Sequence, residues 1–186
     1  MNFWEEFGPA ALAMRIRCES MRDIGAAMTP HNAFLLLQGL ETLNLRMKQH
    51  VSNAQAMVTW LQQQDAVAWV NHPDINADAH TKALFPKGAG SMLTFGVKGG
   101  RDAGAAFINA LQLSSNLANV GDSRTLVLHP GSTTHSRLSE NDLIAAGIGA
   151  DLIRVSVGIE TLKDIQADFS LGLRAAAKIV AQQAEA

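Results

Sequence analysis

Two apolar patterns divide the chain at about residue 64. Before that point, large apolar side chains recur every three or four positions, which is the spacing of one helical face. The first run follows Gly8-Pro9 and the second follows Thr29-Pro30, where threonine is a typical N-cap and proline suits the first helical position. An unbroken helix from Pro30 to Gln64 would be about 50 Å long. We therefore expect it either to kink, near Gly39 or His50, or to reach something outside this chain.

From residue 66 onward the pattern is one of short apolar runs bounded by glycine, proline and asparagine, which is typical of strands. The predicted strands cover residues 67–70, 91–97, 117–120, 125–129 and 152–157. The predicted helices cover residues 102–113 and two segments that begin at Ser139 and Thr161. Because strands and helices are mixed and their connections are long, the predicted fold class is α+β (α/β in the broad sense). We expect long leading helices followed by a small, mostly antiparallel sheet covered by helices.

Composition limits the classes of function. The chain has 186 residues, of which 47% are hydrophobic and 17% charged, as in ordinary globular domains. Its net charge of −2 lacks the basic excess that duplex-DNA binders usually show. We find neither a signal peptide nor an apolar run of transmembrane length. The sequence therefore predicts a cytoplasmic protein that binds neither nucleic acid nor membranes. Its one cysteine, Cys18, lies on the first helical stripe, where we expect a small buried side chain.

The segment from His129 to Ser136 is the densest group of polar side chains. Ser132 or Ser136 paired with a histidine would resemble a nucleophile and its base. His129 and His135 would be two ligands of a metal, but their spacing is unusual for zinc and no third ligand stands out. A polar loop after a strand is the interpretation we favour over both.

Arg154 stands in the middle of the apolar strand 152–157. The alternation of side chains places Ile153, Val155 and Val157 on one face and Arg154 on the other. The planar guanidinium group can hold a carboxylate through two parallel hydrogen bonds. Without other information, an exposed arginine or a structural ion pair is the favoured interpretation.

Four segments resemble the Cys/Met-metabolism family of pyridoxal-phosphate enzymes. They are Pro30 to Leu43 (PHNAFLLLQGLETL), Leu117 to Asp122 (LANVGD), His129 to His135 (HPGSTTH) and Asp151 to Glu160 (DLIRVSVGIE). The resemblance extends over essentially the whole chain. The Asn119-Val120-Gly121-Asp122 form is similar to the O-acetylhomoserine sulfhydrylase branch, whereas other branches usually carry a Ser-Leu-Gly-Gly type segment.

The resemblance implies a fold-type I enzyme whose large N-terminal domain binds pyridoxal phosphate as a Schiff base with a lysine. Residues 1–64 would be the helical lead-in with the interdomain helix, and residues 65–186 the small C-terminal domain that closes over the substrate. The family's reaction on this branch would be γ-replacement, in which sulfide or a thiol replaces the acetate of O-acetylhomoserine to give homocysteine or methionine. The full-length enzyme would be a homo-oligomer, a tetramer built from catalytic dimers.

The resemblance also assigns roles to residues. Arg154 would bind the α-carboxylate of the amino-acid substrate, which reverses the preference stated above. Asn119, Val120 and Gly121 would lie near the cofactor and the substrate, and Thr134 would help line the mouth of the active site.

The chain departs from the family in lacking the large cofactor domain. It has no tyrosine for the cofactor phosphate, and Thr81-Lys82 lies in a helical context that indicates a surface lysine. We therefore expect no catalytic, cofactor-binding or metal-binding residue here, and no activity from the chain alone. Two alternatives stay open. One is another reaction of the family, as in methionine γ-lyase or cystathionine γ-synthase or lyase. The other is a stand-alone, non-catalytic binding module.

Overall fold

The computed structural model describes residues 2–185, with the exception of the side chains of Glu140 and Glu185. The chain forms two compact units that meet in sequence between Leu43 and Asn44. The compact division therefore lies at the start of the helix over Leu43–Leu61, whereas the predicted boundary, between residues 64 and 65, comes after that helix. Across the described residues, no helix is both long and apolar enough to cross a membrane.

The described part of the first unit is mostly helical, with a non-helical segment at residues 25–29. It contains α1 (Phe3–Phe7), a 3₁₀ turn (Gly8–Ala10), α2 (Ala11–Arg15), a π-helix (Ile16–Ile24) and α3 (Pro30–Glu41). The predicted cap of α3 is confirmed, because the Thr29 hydroxyl accepts a hydrogen bond from the backbone N–H of Asn32 at 3.2 Å. None of the side chains in these elements is buried. The expectation of a buried Cys18 is therefore wrong: the side chain is only half-buried, as are Ala11 and Met14 on the same stripe.

The helix predicted from Pro30 to Gln64 is interrupted. α3 ends at Glu41, Thr42 has φ −103° and ψ 2°, and α4 runs over Leu43–Leu61. The expected interruption near Gly39 is confirmed, since the break at Thr42 follows Gly39 by three residues, and His50 lies fully buried inside α4.

The second unit contains one five-stranded sheet. Its strands are β1 (Val67–Asn71), β2 (Met92–Val97), β3 (Ser115–Asn116), β4 (Leu126–Leu128) and β5 (Leu152–Ser156), in the spatial order β1-β2-β5-β4-β3. All neighbouring strands of the described sheet pair in antiparallel fashion, except for the short parallel β3–β4 pair. The predicted mixture of helices with a mostly antiparallel sheet is confirmed. The strand expected at 117–120 is wrong, because those residues form an exposed loop and the pairing is made by Ser115 and Asn116.

Helices cover one face of this sheet. They are α4, α6 (Gly100–Ala110) and α8 (Leu162–Glu185), and two short helices, α5 (Ala79–Leu84) and α7 (Glu140–Ala145), lie in the connections. The core contains alternate residues of β2 and β5 together with one face of each long helix. At its centre the rings of Phe95, Phe107 and Phe169 meet, with centroids 5.4–6.2 Å apart. The opposite face of β2 and β5 carries the partly exposed side chains of Met92, Thr94, Leu152 and Arg154.

Candidate functional site

Arg154 lies on the sheet face opposite the helical core. Its strand neighbours in sequence, Ile153 and Val155, are fully buried in that core, while Arg154 itself is only half-buried. Across the sheet it is paired with Thr94 of β2 on one side and with Leu128 of β4 on the other. The strand therefore fixes the arginine at the middle of an open face, as the sequence alternation predicts.

A groove of about 230 Å³ runs beside Arg154. Its other lining residues are Asn71, His72, Pro73, Met92, Leu93 and Thr94. Within the described chain, the guanidinium group of Arg154 makes no hydrogen bond or ion pair. A structural ion pair is therefore not its role, and a half-buried guanidinium without a protein acceptor is suited to a ligand carboxylate.

The segment that follows β5 is held by a dense group of hydrogen bonds. The carboxylate of Glu160 accepts from the backbone N–H of Thr125 at 2.7 Å and from its hydroxyl at 2.8 Å. The Thr125 hydroxyl in turn accepts from the N–H of Gly158 at 3.0 Å. A side chain at Gly158 would lie 2.5 Å from the backbone of Arg124 and Thr125, so only glycine allows the two segments to approach this closely. These contacts fix the loop before β4 against the end of the strand that carries Arg154.

Helix α4 holds the same segment from the other side. His50 is fully buried, and its Nδ1 lies 2.7 Å from the carbonyl of Val157, so Nδ1 carries the proton and donates it. The amide of Asn53 donates to the carbonyls of Gly158 at 3.0 Å and Glu160 at 2.9 Å. Sequence reasoning missed these positioning residues. The available signal was two polar residues, His50 and Asn53, on or beside the apolar stripe of a helix.

The other predicted substrate residues do not line the groove beside Arg154. Asn119 and Val120 lie in the exposed loop before β4, and Gly121 has φ +77°, which favours glycine. Thr134 is exposed in the loop after β4, where its hydroxyl lies 2.8 Å from Nδ1 of His135. Their contribution to substrate binding stays a prediction.

The loop from His129 to Ser136 is organised by its buried histidine. Nε2 of His129 donates to the carbonyl of Ala150 at 2.8 Å, so Nδ1 is free to accept from the Ser132 hydroxyl at 2.9 Å. The Thr133 hydroxyl also donates to the carbonyl of His129 at 2.8 Å, and the Ser132 oxygen lies 3.3 Å from the same carbonyl. These are the local bonds of a 3₁₀ turn (Pro130–Ser132). Among residues 2–185, no three histidine, cysteine or acidic side chains form a group able to hold a metal. The structure brings Ser132 and His129 together, and the polar-loop interpretation stays a prediction.

The residues present do not form a site for pyridoxal phosphate. All six lysines are exposed, and they are Lys48, Lys82, Lys87, Lys98, Lys163 and Lys178. The sequence contains no tyrosine. Lys82 lies exposed on the short helix α5, as the sequence analysis expects.

The fold is an α+β domain in which one face of the sheet is open and presents Arg154 beside a groove. The model of the Cys/Met metabolism PLP-dependent enzyme family matches residues 9–174, and the chain belongs to this family. The family's cofactor is pyridoxal phosphate.

Several known proteins are similar to this chain over nearly its whole length. The chain is 46% identical over 179 residues to homocysteine synthase of Schizosaccharomyces pombe. This match covers 95% of this chain and 42% of that protein. It is 43% identical over 176 residues to O-acetyl-L-homoserine sulfhydrylase 1 of Thermus thermophilus, covering 93% of this chain and 42% of that protein. Among solved structures, O-acetylhomoserine sulfhydrylase of Wolinella succinogenes matches with a TM-score of 0.68 and 31% identity, over 92% of this chain and 46% of that one. The chain thus spans less than half the length of these relatives.

Proposed function

We propose that this chain is the C-terminal, substrate-closing part of a pyridoxal-phosphate-dependent O-acetylhomoserine sulfhydrylase. The relatives that support this proposal are a homocysteine synthase and O-acetylhomoserine sulfhydrylases. The observation that carries it is the unpaired guanidinium of Arg154 on the open face of the sheet. The proposed reaction is γ-replacement, in which acetate leaves and sulfide or a thiol adds to give homocysteine or methionine.

In this proposal, the chain contributes binding and orientation. Arg154 holds the substrate's α-carboxylate through two hydrogen bonds, so the amino acid is fixed at one end while the rest extends from the open face. The cofactor supplies the electron sink when it is bound. The bonds of Glu160 and Thr125 keep the strand and the loop with Asn119 to Gly121 in a fixed relation.

The binding step can be tested on the chain itself. We expect O-acetyl-L-homoserine to cause saturable NMR shifts in β5 and β2 of the ¹⁵N-labelled chain, and its methyl ester to cause none. Arg154→Lys should weaken binding strongly, because an ammonium group does not reproduce the planar fork. The matched control is Arg174→Lys, an exposed arginine on α8, which should bind as the unmodified chain does. Equal shifts from the acid and the ester would contradict the proposal.

Activity gives a second, separate test. We expect the isolated chain, with pyridoxal phosphate, O-acetylhomoserine and sulfide, to release no acetate above the protein-free rate, since all six lysines are exposed. Borohydride reduction followed by peptide mapping should give no single stoichiometric pyridoxyl-lysine. Turnover, or one fully modified lysine such as Lys82, would show that the chain holds its own cofactor site.

Two alternatives have specific tests. Another reaction of the same family, γ-elimination or cystathionine synthesis, would be distinguished by a substrate panel on the complete enzyme. A non-catalytic module that associates with itself is favoured by the exposure of Leu36 (57%) and Leu40 (60%) on α3. Sedimentation over a range of concentrations decides that case, and a monomer at high concentration would count against it. The tetramer expected for the full-length enzyme stays a prediction.

A further inference from the structure

A polar row crosses the open face of the sheet at the level of Arg154. In the strand register, Arg154 of β5 is paired with Thr94 of β2, and Thr94 is paired with Asn71 of β1. Directly paired residues point to the same side of a sheet, so the three side chains follow one another across the face. All three line the groove beside Arg154.

Thr94 is the member of this row that can reach Arg154. The Cβ atoms of directly opposite residues lie about 4.5–5.5 Å apart, which is within the reach of an arginine side chain. Asn71 is one strand further away, about 10 Å from Arg154, because neighbouring strands are about 4.8 Å apart. Within the described chain, the Thr94 hydroxyl makes no hydrogen bond, and Thr94 is only half-buried.

A hydroxyl suits the position between a guanidinium group and a carboxylate. It accepts a hydrogen bond through its oxygen and donates one through its hydrogen, whereas a guanidinium can only donate and a carboxylate can only accept. A second hydroxyl, that of Ser156, lies two residues beyond Arg154 on the same face. It is buried (2% exposed) and its oxygen has no partner in the described chain. Two hydroxyls on this face, those of Thr94 and Ser156, therefore have no hydrogen-bond partner within the described chain.

The geometry points to Thr94 as a positioning residue for substrate binding. When Arg154 binds a carboxylate, the Thr94 oxygen accepts an N–H of Arg154 and so orients the guanidinium plane, while the Thr94 hydrogen is donated to that carboxylate. The inference rests on the proposed function, because it needs a carboxylate at Arg154. It goes beyond that function by assigning part of the recognition of the carboxylate to β2, a different strand from the one that carries the arginine.

The test compares two substitutions at Thr94 in titrations of the chain with O-acetyl-L-homoserine. Thr94→Val keeps the shape and removes the hydroxyl, and we expect Kd to rise about tenfold, as for the loss of one hydrogen bond to a charged group. Thr94→Ser keeps the hydroxyl and should restore Kd to within about twofold of the unmodified chain. In the ligand-saturated protein, the Nε–Hε resonance of Arg154 should move in the valine variant and return in the serine variant.

Two controls separate this role from a structural one. Thr59→Val makes the same chemical change on the exposed surface of α4, where the hydroxyl bonds only to the carbonyl of Gln55, and should leave Kd unchanged. The melting temperature of each variant and the dispersion of its amide spectrum show whether it is folded.

The outcomes distinguish the two proposals. If the unmodified chain shows no saturable shift around Arg154, the proposed function and this inference both fail. If the unmodified chain binds and the folded Thr94→Val variant binds equally well, only the role of Thr94 is overturned. If Thr94→Ser is as weak as Thr94→Val, packing of the γ-methyl group rather than the hydroxyl is responsible, and the inference is again wrong.

Discussion

Helices α3 and α8 have similar apolar spacing in sequence, but their environments differ. In α8, side chains at the helical spacing are buried against the sheet and α6, and they are Ile165, Phe169, Leu173 and Ala176. In α3, the large apolar side chains are each more than half exposed, and they are Phe34, Leu35, Leu36, Leu37 and Leu40. Periodicity therefore predicts a helix and its apolar face equally well in both units. It does not predict whether the same chain covers that face.

Residues 34–37 of α3 explain part of this difference. Four consecutive apolar residues are distributed around the whole circumference of a helix, since each residue turns by about 100°. A helix that is apolar on all sides is normally buried on all sides. α8 has one apolar stripe and an exposed polar side that includes Lys163, Arg174 and Lys178. Packing against the core on one side is therefore enough to bury the apolar stripe of α8. The stability of the chain should therefore depend mainly on the second unit.

The largest test of this comparison removes a ring from the core. Phe107 is fully buried and makes edge contacts with Phe95 and Phe169 at 5.4 Å. Phe107→Ala should lower the free energy of unfolding by about 3–5 kcal/mol, because it leaves a cavity and removes two aromatic contacts. The measurement is urea unfolding followed by circular dichroism.

The matched control is Phe34→Ala in α3, where the ring is 57% exposed. We expect a change within about 0.5 kcal/mol, as for other surface substitutions. A loss from Phe34→Ala as large as that from Phe107→Ala would show that α3 is covered in solution and would break the comparison.

A second test uses the buried carboxylate of Asp168 on α8. It accepts from the backbone N–H groups of Gln112 at 2.6 Å, Leu113 at 3.0 Å and Ser114 at 2.9 Å. Burial alone would raise the pKa of Asp168, but these hydrogen bonds outweigh it and hold the pKa below its usual value. The loop after α6 is thereby tied to the helix that crosses it.

Asp168→Asn should lower the free energy of unfolding by about 3 kcal/mol near neutral pH, because an amide NH₂ would face the N–H of one of these residues. A group with a lowered folded pKa stabilises above its unfolded pKa, about 3.9 for aspartate, and loses that effect as the pH falls through the folded value. The two proteins should thus differ at pH 7 and converge in strong acid. Asp65→Asn, at an exposed position, serves as the control. A constant difference at all pH values would contradict this role.

The parts of the fold that local pattern determines could be predicted from sequence. The strands at 67–70 and 152–157 and the cap at Thr29 follow from alternation and from capping chemistry, and the structure has them at or within a residue of the predicted bounds. The strand at 117–120 could not be predicted correctly. Its apolar residues suggest a strand, but a two-residue parallel pair is determined by the position of β4, which is a tertiary contact.

In the candidate site, too, features set by local pattern could be predicted and features set by tertiary contacts could not. The face on which Arg154 lies follows from the period of a strand, and its suitability for a carboxylate follows from its chemistry. The bonds of Glu160 to Thr125 join residues 35 positions apart, and the contact of His50 with Val157 joins residues 107 apart. No local pattern encodes such pairs. They give the last part of the Asp151 to Glu160 motif a role in holding neighbouring segments, although it does not line the groove.

The smallest expected effects come from the same substitution, glycine to alanine, in the two helices being compared. In α8, a methyl group at Gly172 would lie 2.5 Å from a ring carbon of Phe107, whereas at Gly39 in α3 no atom lies within 4 Å of such a group. Gly172→Ala should therefore cost about 2 kcal/mol through overpacking of the core. Gly39→Ala should instead stabilise α3 by about 0.5–1 kcal/mol, since alanine has the higher helix propensity. Hydrogen exchange measures both effects, because the amides of α3 and α8 are followed separately. Destabilisation by Gly39→Ala would mean that another surface packs against α3 in solution, and the exposed side chains of that helix would then mark an interface between copies of the chain.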